Sequence, residues 1–335
     1  MRQLLALAAV CAVISIALPS RAEDFYAGKT LIITVSSDTG GGYDTYSRLL
    51  SRHIADHIPG KPTIVVQNMP GGGGLRAAQH LSEIAPKDGT TLGNVRASNV
   101  LDAALGIRGD FDPSKLEWVG NMTSDTDVCS FWHTSGIRSF DDLRKKEVIV
   151  GASGKGAQNF SFPNAINHVL GTKMKIVLGY KGAADRILAL ERGELQGNCG
   201  INASTLTSSW PQLLKDGKLI AVTQSGLKPY PALPNVPMTQ SFAKTDEQRK
   251  LLDAIFGQMA TARVYAFPPG TPAERVTTMR KSFTATMSDP ALRQDAKKTK
   301  VDLDPDSGEE VAKIVTSLMQ LPVEVKKKAR TAIGG

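Results

Sequence analysis

From Leu31 onward, short β-branched runs alternate with amphipathic segments of helical length, and this alternation restricts the fold more than any other feature. Leu31–Val35 predicts a strand; Asp44–Ile58 predicts a helix, because Tyr46, Leu49, Leu50, His53/Ile54 and Ile58 recur on one face. Thr63–Val66, Thr90–Val95, Val148–Gly151, Lys175–Leu178 and Lys218–Val222 read as strands. Helices are expected at Leu75–Ile84 (stopped before Pro86), near Phe162–Leu170, and at Ala183–Arg192, which Gly193 ends. Such alternation implies an α/β protein, with parallel sheet covered by helices on both faces. Sheets of this kind bind ligands in the loops at the carboxyl ends of their strands. The tail differs. Pro268-Pro269-Gly270-Thr271-Pro272 is a hard break, with Thr271 expected as N-cap and Pro272 as first helical residue. Helices should then run over Ala273–Met287 and Pro290–Lys298, and Ser307, with Glu309 and Glu310, should cap a last one.

The first residues indicate export. Arg2 precedes the apolar run Leu4–Leu18, and Ser20-x-Ala22 supplies the small residues that a signal peptidase reads. The run is too short for a membrane span, and every later apolar stretch is interrupted by charge, Pro or Gly. Cleavage after Ala22 would leave 313 of the 335 residues, enough for two medium domains, and would lower the formal charge from +8 to +6 by removing Arg2 and Arg21. The remaining excess sits largely in Lys326-Lys327-Lys328 and Lys297-Lys298 and is not interleaved with aromatics, so nucleic acid is not the expected partner. Cys129 and Cys199 survive cleavage, and an even pair in an oxidising periplasm is expected to bridge.

Three strand-to-helix turns carry the chemistry. Gly40-Gly41-Gly42-Tyr43-Asp44 can take positive φ, let a ligand approach main chain, and present helix-start N–H groups to an anion; an ordinary capped turn is the plain alternative. Gly71–Gly74 satisfies G-x-G-x-x-A through Gly72, Gly74 and Ala77, but four residues separate it from its strand, which argues against a dinucleotide site. Gly151-Ala152-Ser153-Gly154-Lys155-Gly156 fails the P-loop spacing and has Lys155 where a nucleophile elbow needs glycine. His53 and His57 lie four apart without a zincin glutamate or a third ligand, and His80, His133 and His168 are scattered. No metal, cofactor or catalytic set emerges. The pattern is that of a binder.

In these turns the sequence resembles the periplasmic substrate-binding proteins of tripartite tricarboxylate transporters, the Bug receptors. The match is carried by Gly40-Gly41-Gly42-Tyr43-Asp44, then Val65-Val66-Gln67-Asn68-Met69-Pro70-Gly71-Gly72-Gly73-Gly74, Asp88-Gly89-Thr90-Thr91-Leu92 and Gly179-Tyr180-Lys181-Gly182. It continues through Gly217-Lys218-Leu219, Pro231-Ala232-Leu233-Pro234-Asn235-Val236-Pro237 and Pro269-Gly270-Thr271-Pro272-Ala273-Glu274. The resemblance implies a type II periplasmic-binding-protein fold, two Rossmann-like lobes joined by a two-stranded hinge. Residues 23–126 plus 227–335 would form the first lobe and 127–226 the second, after the signal peptide of residues 1–22. It further implies a monomer that closes over a small organic carboxylate, a di- or tricarboxylate or an aromatic acid, and delivers it to the membrane subunits of a transporter.

Carried over, the first jaw is the loop with Ser36, Ser37, Gly40, Gly41, Gly42, Tyr43 and Asp44, and the second has Ser153, Gly154, Lys155, Ala157, Gln158 and Asn159. Relatives usually have Pro-Phe where Ser36-Ser37 stand, so an aromatic wall is exchanged for hydroxyls and the acid Asp38. Arg96 and Ser98 follow a strand where relatives carry small hydroxyl residues. Arg96 is open to two roles, pairing a distal carboxylate of the ligand or a surface or inter-lobe salt bridge. Tyr43 and Tyr180 are candidates for lining an organic ligand, with core packing as the other role of each. The competing functions are an exported hydrolase-like cleft enzyme and a sensor module presenting its ligand to a membrane histidine kinase.

Overall fold

A computed structural model describes residues 25–107 and 111–334; the expected signal peptide, residues 1–22, lies outside the described residues. Eleven strands form two sheets. They are β1 (Thr30–Val35), β2 (Thr63–Asn68), β3 (Thr91–Val95), β4 (Glu117–Asn121), β5 (Asp127–Trp132), β6 (Val148–Ala152), β7 (Met174–Leu178), β8 (Gly197–Asn202), β9 (Leu219–Ser225), β10 (Val264–Phe267) and β11 (Asp306–Ser307). The first sheet has the order β11-β4-β10-β3-β1-β2 and the second β7-β6-β8-β5-β9. Each has a parallel core, with β2-β1-β3 matched by β7-β6-β8, and antiparallel strands attached to one side. Leu31, Ile33 and Val35 of β1 are fully buried, as are Leu92 and Val95 of β3. These central strands are covered on both faces, and their near-continuous apolar runs are the consequence.

Most expected strands and helices fall within a residue or two of these elements. The strand expected at Lys218–Val222 runs on to Ser225, the helix near Phe162–Leu170 starts at Gln158, and the helix over Asp44–Ile58 ends at His53 and continues as a 3-10 turn to His57. Three further differences stand out. Leu75–Ile84 is α-helical only over Leu75–Gln79 and widens into a π turn at His80–Ile84. Thr271 does not cap; its hydroxyl donates to the Pro268 carbonyl, and Pro272 is the N-cap of Ala273–Ser288. Ser307 caps Gly308–Met319 in a reciprocal capping box with Glu310, as expected, but a further helix, Val323–Ala332, follows.

The chain passes from the first sheet to the second through residues 122–126 and returns through 257–263. The crossings are knitted together: the Met122 and Asp125 N–H groups donate to the Arg263 and Met259 carbonyls, and Asn121 accepts from Arg263 N–H and donates to Ala260 O. Two helices of the stretch assigned to the first lobe pack on the second sheet instead. Asp246–Phe256 buries Leu252, Ile255 and Phe256 against the helix Gln158–Leu170, with Phe162 and Phe256 edge to face at 4.8 Å, and Ala329, Ala332 and Ile333 of the final helix join the same core.

Cys129 of β5 and Cys199 of β8 are register partners and form a disulfide within the second lobe. Mass spectrometry of a nonreducing digest should recover their two peptides linked; two alkylated thiols would contradict the bridge. His53 and His57 are not paired for a metal. Their Nε2 atoms meet Asp295 and Asp289 at 3.1 and 2.8 Å, stapling the first helix to Pro290–Thr299 and its cap. Among the described residues no His/Cys/Asp/Glu group is placed to hold a metal, and no helix is long and apolar enough to cross a membrane.

Candidate functional site

The Ser36–Asp44 loop leaves β1 at its carboxyl end and opens the helix Gly42–His53. Of the three glycines only Gly40 has positive φ (+82°). Gly42 is required for another reason: a Cβ there would lie 2.7 Å from Thr205 Oγ1 of the second lobe and 3.0 Å from Arg263 Nη2. Asp44 organises the loop. Its Oδ2 accepts from the Gly40 N–H at 2.8 Å and from Arg48 Nε at 2.9 Å, and its Oδ1 accepts from Asn68 Nδ2 at 2.9 Å. Burial opposes the charge of Asp44, but Arg48, the Gly40 N–H and Asn68 outweigh it and hold the carboxyl below its ordinary range. With both oxygens bonded, Asp44 positions the turn. Ser37 is turned back onto the Asp38 carbonyl.

The Gly71–Gly74 turn serves the same cleft. Gly73 abuts Gly156 of the second lobe, where a Cβ would come within 2.6 Å of the Gly156 carbonyl oxygen. Gly74 leaves room for Arg96, whose Cδ would lie 2.5 Å from a Cβ at that position. Arg96 donates from Nε to the Ser36 carbonyl at 3.0 Å and lies over the Tyr43 ring at 5.0 Å. It makes no ion pair among the described residues, with Asp38 its acidic neighbour.

On the second lobe, the Ser153–Asn159 loop leaves β6 and opens the helix Gln158–Leu170. Asn159 closes the turn by accepting from Ser153 N–H at 3.0 Å and donating to Ser153 Oγ at 3.1 Å. Lys155 is exposed at the rim, beside Gly154, and Ala157 is buried as the N-cap. Tyr180 lies apart: its ring packs over Gly151, near Leu195, with Glu194 and Asp185 as its charged neighbours.

The structure adds residues that the turns alone do not reveal. Arg186, on the helix Ala183–Glu191, is only 3% exposed. Its Nε donates to Asn198 Oδ1 at 2.8 Å and its Nη1 to Ser153 Oγ at 3.4 Å. Burial first, and Arg96 nearby, push it down to about 10 despite Asp127, so it remains a cation at neutral pH. Asp127, at the start of β5, accepts from Gln158 Nε2 at 3.2 Å through Oδ2. Behind them Arg263 is fully buried, paired to Asp125 at 3.2 Å and flanked by the Tyr43 and Tyr46 rings at 4.8 Å each.

Around Arg96 and Arg186 the two lobes bring buried polar atoms that have no hydrogen-bond partner among the described residues. The first contributes Ser36 Oγ, Tyr43 Oη, Ser98 Oγ and Asn99 Oδ1; the second contributes Asp127 Oδ1, Asn198 Nδ2 and Asn202 Nδ2. Orphaned buried polar groups are costly, and a concentration of them at one seam, with two cations that form no ion pair among the described residues, has the chemistry of a site for a small polar anion.

Two α/β lobes with matched parallel cores, knitted at a hinge and meeting over a polar cleft, define a type II periplasmic-binding-protein fold. The chain belongs to the tripartite tricarboxylate transporter receptor family, whose model matches residues 48–328. It is 24% identical over 300 residues to the UPF0065 protein in the gbd 5' region of Cupriavidus necator, covering 86% of this chain and 84% of that one. Its fold is similar to the periplasmic binding protein BugD (TM-score 0.71, 20% identity, 91% of this chain and 98% of that one). It is also similar to MatC from Rhodopseudomonas palustris with bound malate (TM-score 0.69, 18% identity, 89% and 99%). Members of this family are solute-binding receptors.

Proposed function

We propose that this chain is a monomeric periplasmic receptor that captures a small organic carboxylate between its lobes and hands it, unchanged, to the membrane subunits of a tripartite tricarboxylate-type transporter. The observation that carries this reading is the set of partnerless buried polar atoms that both lobes direct to the seam around Arg96 and Arg186. Arg96, Ser36, Tyr43 and Ser98 contribute from one side, and Arg186, Gln158, Asn198 and Asn202 from the other. A ligand touching both walls binds the closed form better than the open one and shifts the population toward closure. A micromolar dissociation constant requires only about −8 kcal/mol, within reach of several charge-assisted hydrogen bonds. The malate in MatC is a dicarboxylate and agrees with two cations at the seam. The enzyme alternative lacks support: the histidines placed by hydrogen bonding, His53 and His57, are bonded to Asp295 and Asp289 away from the seam.

A thermal-shift screen of the mature chain against aliphatic and aromatic mono-, di- and tricarboxylates tests the reading, because a ligand that binds only the folded state raises the melting temperature. Stabilisation by carboxylates, with the ligand recovered intact, is expected; no response to any carboxylate would remove the reading. Arg96→Met should weaken a responding dicarboxylate about tenfold in calorimetry and a monocarboxylate of similar length less. Equal losses would deny Arg96 a distal carboxylate.

A further inference from the structure

We propose that Asp127 sets the charge the cleft accepts: held as the neutral acid, it does not offset the guanidiniums of Arg96 and Arg186 and donates a hydrogen bond to the ligand, so the site selects a dianion, a dicarboxylate. The inference rests on the carboxylate-receptor reading above and names its substrate class. Asp127 is 2% exposed; among the described residues its side chain accepts only from the uncharged Gln158 amide, and its Oδ1 has no partner. An ionised carboxylate with so few bonds is poorly stabilised in the interior, whereas a protonated one supplies a donor at the atom left open. Its charged and titratable neighbours are Asp125 and Arg263 of the hinge, Arg186 of the second lobe and the Tyr43 hydroxyl of the first. Arg263 is neutralised by Asp125 at 3.2 Å, and Arg186 is bonded to Asn198 and Ser153 instead of Asp127. A neutral Asp127 therefore leaves the site one positive charge richer than an ionised one, with Asp38 near Arg96 and Asp185 near Arg186 the remaining acids. Burial first, and then Asp125, push the carboxyl up to about 8.

The sign follows from linkage. An anionic ligand favours the protonated acid and raises its pKa further, so affinity is level below the free-state value and falls as pH rises through it. Malate and succinate are the dianion probes and butyrate the monoanion, measured by calorimetry on the mature chain from pH 6.5 to 9. Dianion affinity should fall about tenfold between pH 7 and 9, butyrate affinity should fall less, and binding at pH 9 should take up about half a proton or more, read from buffers of different ionisation enthalpy. Asp127→Asn, a neutral isostere, should bind malate with an affinity that no longer changes between pH 7 and 9 and without proton uptake. A flat wild-type profile with no proton uptake, or an Asp127→Asn chain that keeps the wild-type pH dependence, would overturn the role of Asp127 and leave the receptor reading standing. Failure of both dianions to bind at any pH would overturn the dicarboxylate assignment, and silence across the wider carboxylate screen would overturn the receptor reading itself.

Discussion

Replacing Arg263 with Met should cost the fold about 3–5 kcal/mol, because it leaves Asp125 as an uncompensated charge at the hinge. Both side chains of the pair are 0% exposed. The guanidinium donates to Asp125 and Ser204 through Nη2 and to the Ala262 carbonyl through Nη1, and its faces meet Tyr43 and Tyr46. Asp125 also accepts from the Ser204 hydroxyl and from the Thr126 N–H at 2.8 Å. One guanidinium thus ties together both hinge crossings, the first helix of one lobe and the start of the helix Ala203–Ser209 of the other. Burial opposes its charge, but Asp125 together with Tyr43, Tyr46 and Tyr265 outweighs it and shifts its pKa upward. Urea denaturation followed by circular dichroism should show the loss, together with a fall in melting temperature of about 10 °C. Adding Asp125→Asn should recover more than half of it, since no charge is then stranded. A loss below about 1 kcal/mol would place the pair among ordinary exposed ion pairs, which contribute that little.

The same contrast between local and long-range information separates what the sequence reveals from what it hides. Strand and helix positions are legible because period and punctuation are local: Val35 ends a buried strand, three glycines follow, and Tyr46, Leu49 and Leu50 repeat on one face. The two strand-to-helix turns proposed as jaws are legible for the same reason, since each follows a β-branched run and opens an amphipathic one. Arg186 is not. It sits mid-helix in AADRILALE, where an arginine reads as solvated, and it is buried only because Asn198 of β8 and Ser153 of the jaw loop meet it. Asp127 and Arg263 are hidden likewise: the one opens β5 and the other ends the return crossing just before β10, and their partners Gln158 and Asp125 are remote in sequence. Asp44 is read correctly as an acid at a helix start, but its partners, Gly40, Asn68 and Arg48, come from the loop, the neighbouring strand and the next turn. Which lobe a late helix covers is a tertiary matter too. The amphipathic face of Asp246–Phe256 is plain in sequence, while its docking on Gln158–Leu170 depends on where the chain crosses.

Gly42→Ala is the substitution expected to affect binding most, and it acts through closure. A methyl at Gly42 would stand 2.7 Å from Thr205 Oγ1, across the seam, and 3.0 Å from Arg263 Nη2 on its own side. The second contact is tight and adds a small burden to the fold, partly offset because alanine is the better helix former by about 1 kcal/mol. The first contact exists only when the lobes meet. It must be relieved by separating them, which penalises the closed state alone. Overpacking of this kind costs about 1–3 kcal/mol, so dicarboxylate affinity should fall about 10- to 100-fold while the unliganded melting temperature stays nearly constant. Thr205→Ala removes the obstructing hydroxyl, and the double variant Gly42→Ala/Thr205→Ala should recover most of the lost affinity, a coupling that independent sites would not show. If Gly42→Ala binds as tightly as wild type, the lobes need not approach at this point for the ligand to be held. If the double variant is no better than the single, the methyl acts through the Arg263 side of the turn, and the first jaw would then be shaped by the hinge knot instead of by closure.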